Sequence, residues 1–260
     1  MKDQLLHWLI SPFPPDSIYR KIGKRLCQRA GLSAKQKFYD GIIYFDAVGQ
    51  SWAFKGYPYE TVDTQLKDEL LSLSRDCQYY IDIGCNIGQI ALSVLLRNRD
   101  IRTVCVDPNP RVLRLLKKSL RANHLEHRAT IRQAAVGNEV GFVHFTSEIS
   151  EIGHISSTGY KVECLRLADL INDYSSQKCL VKIDVEGYET ILLQKLDQFR
   201  NLKNLSLVLE LHALGQNQGN PNECIKILLK SGATLRLLNG LALSSIDPTK
   251  ITQIIALWGK

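Results

Sequence analysis

The stretch YYIDIGCNIG, residues 79–88, decides the fold. An apolar strand ends near the acidic residue Asp82, and a loop with two glycines opens the helix that follows. Glycine lets the backbone turn sharply and approach a ligand, and the free N–H groups of a helix N-terminus favour an anionic group. The glycine spacing is G-x-x-x-G, which differs from the G-x-G-x-x-G of NAD sites. We predict that this loop binds a cofactor through Asp82, Gly84, Asn86 and Gly88.

Strand and helix signals alternate along the rest of the chain. Short apolar runs predict strands in YYIDIG, TVCVD, ATIRQAAVG, CLVKIDVEG and LSLVLELHA. Helices are predicted over residues 87–98, 110–124, 187–198 and 221–231. Strands that are apolar on both faces favour a parallel sheet covered on both sides, and such a sheet binds its ligand at the carboxyl ends of the strands. Extra strands or a flap are predicted in GFVHFT (141–146) and YKVECLRL (160–167), and a closing hairpin in ATLRLLN and ITQIIALW.

A second acidic residue stands at the end of the next predicted strand, in VCVDP (104–108). Asp107 is placed to accept both hydroxyls of an adenosine ribose, although a strand-end Asp before Pro is also a common turn device. After the third strand, Ala134 and Ala135 offer backbone groups and a slot of small residues for adenine. These positions extend the predicted cofactor site along the same edge of the sheet.

Composition excludes several classes of protein. The chain has 260 residues, of which 45% are hydrophobic and 23% charged, so disorder, collagen and coiled coil are excluded. Its seven cysteines form no C-x-x-C pair, which argues against a zinc site and for a reducing compartment. The first apolar run, residues 5–10, is too short for a signal peptide or a membrane span. We expect a soluble, cytoplasmic protein.

The N-terminal region differs in charge from the remainder. The formal net charge is +7, and residues 1–40 contribute +5 of it, with eight Lys or Arg against three Asp or Glu. We predict an N-terminal extension over residues 1–75, which shapes the acceptor site or makes oligomer contacts, and a catalytic domain over residues 76–260. The extension is predicted as a helix to about Ala30, a hairpin around Val48-Gly49 and a helix from about Tyr59 to Leu73. The basic residues of the first helix either bind an anionic partner or form the solvent-exposed side of a helix that packs on the domain.

Two further motifs narrow the class of protein. The fourth strand carries KIDVEGYE (182–189), and the fifth ends in ELH (210–212). With the glycine loop and Asp107, these motifs resemble the FkbM family of class I S-adenosylmethionine (SAM)-dependent methyltransferases, over about residues 78–215. The resemblance implies a Rossmann-like fold with a seven-stranded, mostly parallel sheet and a C-terminal antiparallel hairpin. It also implies SAM as cofactor and methyl transfer to a hydroxyl of a sugar, glycan or secondary metabolite. The family usually has Glu at the position of Asp107.

Alternation along the strands groups the predicted catalytic residues. Lys182 and Asp184 share one face of the fourth strand, and Glu210 and His212 share one face of the fifth. If these strands are neighbours, Lys182 pairs with Glu210, and Asp184 lies beside His212. SAM already carries an activated methyl group, so the protein must align an oxygen and remove its proton. An imidazole oriented by a carboxylate suits that task, which makes His212, with Asp184 or Glu210, the predicted general base.

Other routes to proton removal stay open. Asp184 and Glu186 would share a Mg²⁺ with the acceptor hydroxyl and lower its pKa. Alternatively, Glu186 serves only the N-terminus of the following helix. His154, in the polar segment SEISEIGHISST (147–158), is a further candidate base.

Two other functions compete with O-methyl transfer. The positive charge suggests a nucleic-acid methyltransferase, but the fourth strand ends in DVEG and lacks the [DN]-P-P-[YF] tetrapeptide of enzymes that methylate nucleic-acid amino groups. A non-catalytic SAM-binding protein is the other rival. We therefore expect a hydroxyl-bearing small molecule or glycan as partner, no nucleic acid, and a homodimer as the oligomer to test.

Overall fold

The computed structural model describes residues 33–46, 58–149, 152–156, 159–213 and 219–259, with residues 147–149 and 152–156 described as backbone alone. The strands are β1 (Ala34–Phe38), β2 (Gly41–Phe45), β3 (Tyr79–Ile83), β4 (Arg102–Asp107), β5 (Ala129–Gln133), β6 (Ala135–Gly137), β7 (Gly141–Ile149), β8 (Ile152–Ser156), β9 (Tyr160–Arg166), β10 (Cys179–Ile183), β11 (Leu205–Leu211), β12 (Thr234–Leu237) and β13 (Thr252–Leu257). The helices are α1 (Thr64–Ser74), α2 (Gln89–Arg97), α3 (Pro110–Ala122), α4 (Leu167–Asn172), α5 (Glu189–Leu193) and α6 (Pro221–Lys230). In these ranges, no helix combines the length and apolar character that crossing a membrane requires.

Seven strands form the main sheet, in the order β12-β13-β11-β10-β3-β4-β5. Strand β13 runs antiparallel to both of its neighbours, and the strands from β11 to β5 pair in parallel. The predicted Rossmann-like fold, with its closing antiparallel hairpin, is confirmed. The neighbouring positions of β10 and β11 are confirmed as well, so their carboxyl ends meet at one edge together with those of β3 and β4.

Alternation of side chains divides the core between the two faces of the sheet. Tyr80 and Leu180 join the core that α1, α2, α3 and the β1–β2 hairpin cover. Ile81 and Val181 join the opposite core, which α4, α5 and α6 cover. Because successive side chains point to opposite faces, Asp82 shares a face with Tyr80 and is directed toward the side that the N-terminal elements cover.

The third predicted strand is divided between two sheets. Its first half, β5, is the edge of the main sheet, and its second half, β6, pairs with β9 in a four-stranded sheet of order β6-β9-β7-β8. The predicted extra strands correspond to β7 and β9, which pair antiparallel. Ala134 lies between the two halves, where the chain leaves the main sheet at the edge that carries the predicted cofactor site.

Only the first strand of the predicted N-terminal hairpin lies within the described residues, so its predicted pairing stays a prediction. Strand β2 pairs with β1 around a two-residue turn at Tyr39 and Asp40, and the partner that we predicted beyond Val48-Gly49 lies outside the described residues. The predicted first helix, ending near Ala30, also lies outside them. The predicted second helix is a 3-10 turn, Tyr59–Thr61, followed by α1. The domain boundary after residue 75 stays a prediction.

Candidate active site

Four charged side chains form a row across the carboxyl ends of three adjacent strands. Lys182 lies opposite Asp82 in the pairing of β10 with β3. Its ammonium nitrogen lies 3.0 Å from a carboxylate oxygen of Asp184 and 3.9 Å from one of Asp82. Glu210, near the end of β11, accepts a 2.6 Å hydrogen bond from the side-chain amide of Gln253. We predicted Glu210 as the partner of Lys182, but the closest carboxylate to this lysine is Asp184.

Burial and charge act in opposite directions on Lys182. Its side chain is buried, and burial lowers the pKa, because an ammonium loses its hydration. The surrounding carboxylates of Asp184, Asp82 and Glu210 outweigh burial and raise the pKa above its ordinary value. Lys182 is therefore a permanent cation that holds the carboxylates together.

Asp82 is the most deeply buried acid of this row, with 1% of its surface exposed. Neither of its carboxylate oxygens has a hydrogen-bond partner within the protein. The Tyr80 hydroxyl interacts with this carboxylate but does not meet the geometry of a hydrogen bond. Burial raises the pKa of Asp82, and the charge of Lys182 opposes the rise. A buried carboxylate with unsatisfied oxygens favours a ligand that brings a cation or donors.

The backbone of the glycine loop packs closely against Asp184 and Leu116. Gly84 has φ +76°, and a Cβ at this position would lie 1.9 Å from the backbone oxygen of Asp184. Gly88 has φ +79°, and a Cβ there would lie 2.3 Å from the side chain of Leu116. Only glycine fits both the backbone conformation and the available space at these positions.

Asp107 holds this loop in place from the neighbouring strand. Its two carboxylate oxygens accept backbone hydrogen bonds of 2.9 Å from Asn86 and 2.8 Å from Asn109. Burial raises the pKa of Asp107 to about 6, against the effect of these two hydrogen bonds. Each carboxylate oxygen keeps a second lone pair, so ribose hydroxyls can still be accepted. Ala134 lies beside it, since its N–H donates to the Asp107 carbonyl over 3.2 Å.

His212 is buried behind this row, and both of its ring nitrogens face carboxylates. Nδ1 lies 2.9 Å from Glu189, and Nε2 lies 3.4 Å from Glu186 and 3.8 Å from Asp184. Asp184 thus lies beside the imidazole, as predicted. The carboxylate that orients the ring is Glu189, however, whereas we expected Asp184 or Glu210.

The environment of His212 keeps the ring protonated. Burial lowers the pKa of His212, but the hydrogen bonds to Glu186 and Glu189 and the charge of Asp184 outweigh it and raise the pKa to about 10. An imidazolium has no lone pair with which to accept a proton at neutral pH. This arrangement disfavours the predicted role of His212 as general base.

A cavity of about 220 Å³ opens onto the row of charged residues. Polar and charged side chains supply much of its wall, namely Tyr59, Asp63, Asp82, Asn86, Gln89, Lys182, Asp184, Glu210 and Gln253. The apolar part of the wall consists of Leu66, Cys85, Ile87 and Ile90. His212, Asp107 and Ala134 do not line it. Its wall therefore combines the strand ends with residues 59–66 of the predicted N-terminal extension.

A buried lysine fixes the N-terminal part of this wall. Lys67 donates a hydrogen bond to the Tyr59 carbonyl and lies 5.2 Å from the centre of the Phe38 ring. The Tyr59 N–H donates to the side chain of Gln36 over 2.9 Å. Burial lowers the pKa of Lys67 to about 8. Hairpin, 3-10 turn and α1 are thereby joined into one wall of the cavity.

Several site residues were not singled out from the sequence. Tyr59, Asp63, Gln89 and Gln253 reach the cavity only through long-range packing, for which the sequence contains no local signal. Glu189 was within the quoted motif but was given no role of its own. It is buried and accepts the N–H groups of Val185 and Gly187, each over 3.2 Å, in addition to contacting His212. The side chain of His154 is not among those described, so its predicted role stays untested.

Possible metal ligands overlap only partly with those predicted. Asp184, Glu210 and His212 can each offer an atom within 4.8 Å of the others. Glu186, the predicted second magnesium ligand, is not part of this group, although its carboxylate lies 3.4 Å from Nε2 of His212. The group lies beside the ammonium of Lys182, which already supplies a positive charge to Asp184.

Comparison with known proteins identifies the family. Residues 82–235, more than half of the chain, match the Methyltransferase FkbM domain, so the chain belongs to this family of SAM-dependent methyltransferases. No curated relative matches it.

Several solved structures are similar in outline. Precorrin-6y C5,15-methyltransferase from Geobacter metallireducens GS-15 is 13% identical, with coverage of 75% of this chain and 88% of that one and a TM-score of 0.45. An O-methyltransferase family protein from Burkholderia thailandensis is 12% identical, with coverage of 98% and 70% and a TM-score of 0.45. TYW2 from M. jannaschii, in complex with AdoMet, is 11% identical, with coverage of 86% and 84% and a TM-score of 0.46. Similarity at this level says nothing about the acceptor.

The residues at the sheet edge fit SAM. The ammonium group at its amino acid end requires an anionic partner, and Asp82 supplies buried carboxylate oxygens that accept no hydrogen bond within the protein. The ribose requires acceptors, and Asp107 retains lone pairs for it. Gly84 and Gly88 let the loop pack directly against Asp184 and Leu116, which fixes the shape of the loop at this edge of the sheet. Asp82, Gly84, Asn86 and Asp107 would therefore hold the cofactor, with Asp184 at the inner end. The contacts predicted for Gly88, Ala134 and Ala135 stay predictions, and Ala135 packs in the core of the four-stranded sheet.

Proposed function

We propose that this chain is a SAM-dependent O-methyltransferase whose acceptor is a hydroxyl of a sugar, a glycan or a secondary metabolite. The polar residues of the cavity wall that are not assigned to the cofactor support an acceptor rich in hydroxyl groups, because their side chains can hydrogen-bond to it, namely Tyr59, Asp63, Gln89, Glu210 and Gln253. Bound SAM supplies a methyl group that is already electrophilic. The protein must therefore orient the acceptor oxygen and take its proton.

The carboxylate of Glu210 is our proposed general base. It lines the cavity, and burial together with the neighbouring Asp184 raises its pKa above the ordinary value for glutamate. This is the observation that carries the proposal, because a carboxylate with a raised pKa is a stronger base than one in water. Gln253 binds one oxygen of Glu210 and leaves the other for the acceptor hydroxyl. Because Glu210 can take a proton only in its deprotonated form, we expect turnover to fall as the pH drops through its raised pKa.

Asp184 and His212, which were predicted to act in catalysis with Glu210, have different proposed roles. Asp184 is held by Lys182 and is proposed to orient the acceptor or the cofactor at the inner end of the cavity. His212 is proposed as a positioning residue, because its imidazolium binds Glu189 and faces Glu186 and Asp184. It would thus fix the loop that follows β10 and keep Asp184 at the cavity.

Magnesium assistance is the second candidate mechanism. It is favoured by the closeness of Asp184, Glu210 and His212, whose ligand atoms can lie within 4.8 Å of one another. It is opposed by the charge of the cluster, because Lys182 and the imidazolium of His212 already neutralise these carboxylates. A chelator that abolishes turnover, with restoration by Mg²⁺ alone, would establish the metal mechanism in place of direct proton removal by Glu210.

The experiment that tests this function is an acceptor screen with the full chain. Sugars, oligosaccharides and polyketide or peptide metabolites are incubated with SAM, S-adenosylhomocysteine is quantified, and the methylated atom is located by mass spectrometry and NMR. We expect methyl groups on oxygen. Binding of SAM without turnover on any acceptor would leave a non-catalytic SAM-binding protein, and methylation of RNA or DNA bases would replace the proposed acceptor class.

Glu210→Gln provides the matched test of the base. This variant keeps the size of the side chain and removes its charge, so turnover should fall about 10²- to 10⁴-fold with SAM affinity retained. Glu163→Gln, at an exposed position on β9, is the control and should behave like the wild type. Normal turnover of Glu210→Gln would transfer the role of base to Asp184 or His154.

The cellular location and the oligomeric state are also proposals. The six described cysteines are free, and five of them are buried, which supports a reducing compartment such as the cytoplasm. A homodimer through the N-terminal region stays a prediction, with sedimentation velocity as its test.

A further inference from the structure

Helix α3 presents an unusually uniform charge to solvent. Its sequence, PRVLRLLKKSLRA, contains five basic residues and no acidic one. Arg114, Lys117, Lys118 and Arg121 are exposed, and their spacing places them on one face of the helix. Surfaces that face only water usually mix both signs of charge, because like charges on adjacent turns repel. A face with four cations therefore suggests an anionic partner.

The β1–β2 hairpin extends this basic face. The N–H of Tyr44 on β2 donates to the Ser119 hydroxyl of α3 over 2.8 Å, so hairpin and helix are in direct contact. Lys118 donates to the hydroxyl of Ser33, the residue just before β1, over 2.8 Å. Lys35 and Lys37 on β1 are exposed, whereas the residues between and beside them face inward. We call this surface, made of Lys35, Lys37, Arg114, Lys117, Lys118 and Arg121, the basic face.

The basic face is separate from the catalytic site. None of its six residues lines the cavity at the strand ends. Arg111, the remaining basic residue of α3, is instead paired with Asp46 over 2.7 Å and anchors the hairpin to the helix. Arg121 pairs with the exposed Glu126 over 3.2 Å, whereas the other five cations of the basic face form no ion pair with a described residue. These five cations can bind a partner without any change in the residues that hold the cofactor.

The composition of the sequence before Ser33 favours a lipid surface over nucleic acid. Residues 1–32 join the described structure at Ser33, beside Lys118. Their sequence includes the apolar run LLHWLI (5–10), Phe13, and five basic residues between positions 20 and 29. Trp, Phe and Leu combined with Lys and Arg are the composition of segments that bind membrane interfaces. Single-stranded nucleic acids instead require exposed aromatic rings for stacking, and α3 contains none.

We propose that the basic face binds the surface of an anionic phospholipid membrane. The phosphates of the lipid headgroups neutralise the cations of the basic face. Binding is peripheral and electrostatic, so it weakens as salt screens the charges. This inference is independent of the acceptor and of the proposed base.

Vesicle sedimentation with the full chain tests the proposal. One set of vesicles is phosphatidylcholine with phosphatidylglycerol as about a third of the lipid, and the other is phosphatidylcholine alone. We expect binding to the anionic vesicles, a loss of binding at high salt, and weak binding to the neutral ones. The variant R114Q/K117Q/K118Q/R121Q should bind at least about 50-fold more weakly, since each basic residue near an anionic surface contributes about fivefold. Glutamine preserves helix propensity, and unchanged SAM affinity would verify that the variant is folded.

A matched variant separates the basic face from net charge. K195Q/R200Q/K226Q/K230Q removes the same four charges at exposed positions elsewhere and should retain most of the vesicle binding. Equal losses in both variants, or no binding by the wild type, would overturn the proposal. So would binding of labelled RNA that depends on the four α3 residues while vesicle binding does not. Because SAM affinity is measured separately, failure here leaves the proposed O-methyl transfer untouched.

Discussion

Asp107→Asn separates the two tasks that we assign to one carboxylate. Its oxygens accept N–H groups from Asn86 and Asn109, at 2.9 and 2.8 Å, and retain lone pairs for a ribose. Asparagine keeps the shape and one acceptor oxygen, but its amide nitrogen must then face one of the two N–H donors. The substitution thus replaces one charge-assisted hydrogen bond with a contact between two donors.

The expected magnitude follows from these contacts. A hydrogen bond to a charged group contributes about 1.5–3 kcal/mol, so the free energy of unfolding should fall by about 2–4 kcal/mol. Loss of one charged acceptor for the ribose should weaken SAM binding by about 10- to 100-fold. Because burial raises the pKa of Asp107 to about 6, the SAM affinity of the wild type should also fall as the pH drops below that value. The affinity of the variant should not show this step.

Isothermal titration with SAM across this pH range, together with urea unfolding, measures both effects. Asp100→Asn, at an exposed position near the opposite end of β4, is the matched control and should change neither quantity. If Asp107→Asn binds SAM as tightly as the wild type, the assignment of the ribose to this residue is wrong. If affinity falls while stability does not, the carboxylate serves the ligand but does not support the loop.

Two further predictions concern the histidine and the glycine loop. The folded-state pKa of His212, about 10, lies above its ordinary value of 6.5, so its contribution to stability is complete below about pH 6.5 and is lost as the pH rises to about 10. His212→Gln should remove this part of the pH dependence in thermal unfolding. An unchanged pH profile would show that the His212 ring is not protonated in the folded protein. Gly84→Ala should lower the free energy of unfolding by about 2–4 kcal/mol, because its Cβ would lie 1.9 Å from the Asp184 oxygen at positive φ. Urea unfolding checks this, with Gly232→Ala, where φ is also positive but space is open, as the control for backbone strain alone.

The sheet and the positions of the acids could be predicted because local signals determine them. The central parallel strands are apolar on both faces, and each acid of the site stands at or just beyond a strand end, as with Asp82 and Asp107. Alternation of side chains also predicted the strand face on which each of Lys182, Asp184 and Glu210 lies. These inferences need only the two-residue period and the rule that ligands bind at the carboxyl ends of parallel strands.

The partners of the site residues could not be predicted in the same way. His212 meets Glu189 because the chain between β10 and α5 turns back through Glu186 and Gly187, both at positive φ. That turn has no periodic signal, so the sequence pointed to the nearer carboxylates on the strands. The partner of β2 was missed for a related reason, since AKQKF reads as polar although Gln36 and Phe38 face inward. Likewise, Tyr59 reaches the cavity only because distant residues hold the 3-10 turn.

A crystal structure of the full chain with S-adenosylhomocysteine would test the central claim most directly. The account predicts the ribose hydroxyls on Asp107, the amino acid end against the glycine loop and Asp82, and the sulfur directed into the cavity toward Glu210. A ligand whose ribose lies away from Asp107, or whose sulfur faces away from the cavity, would contradict it.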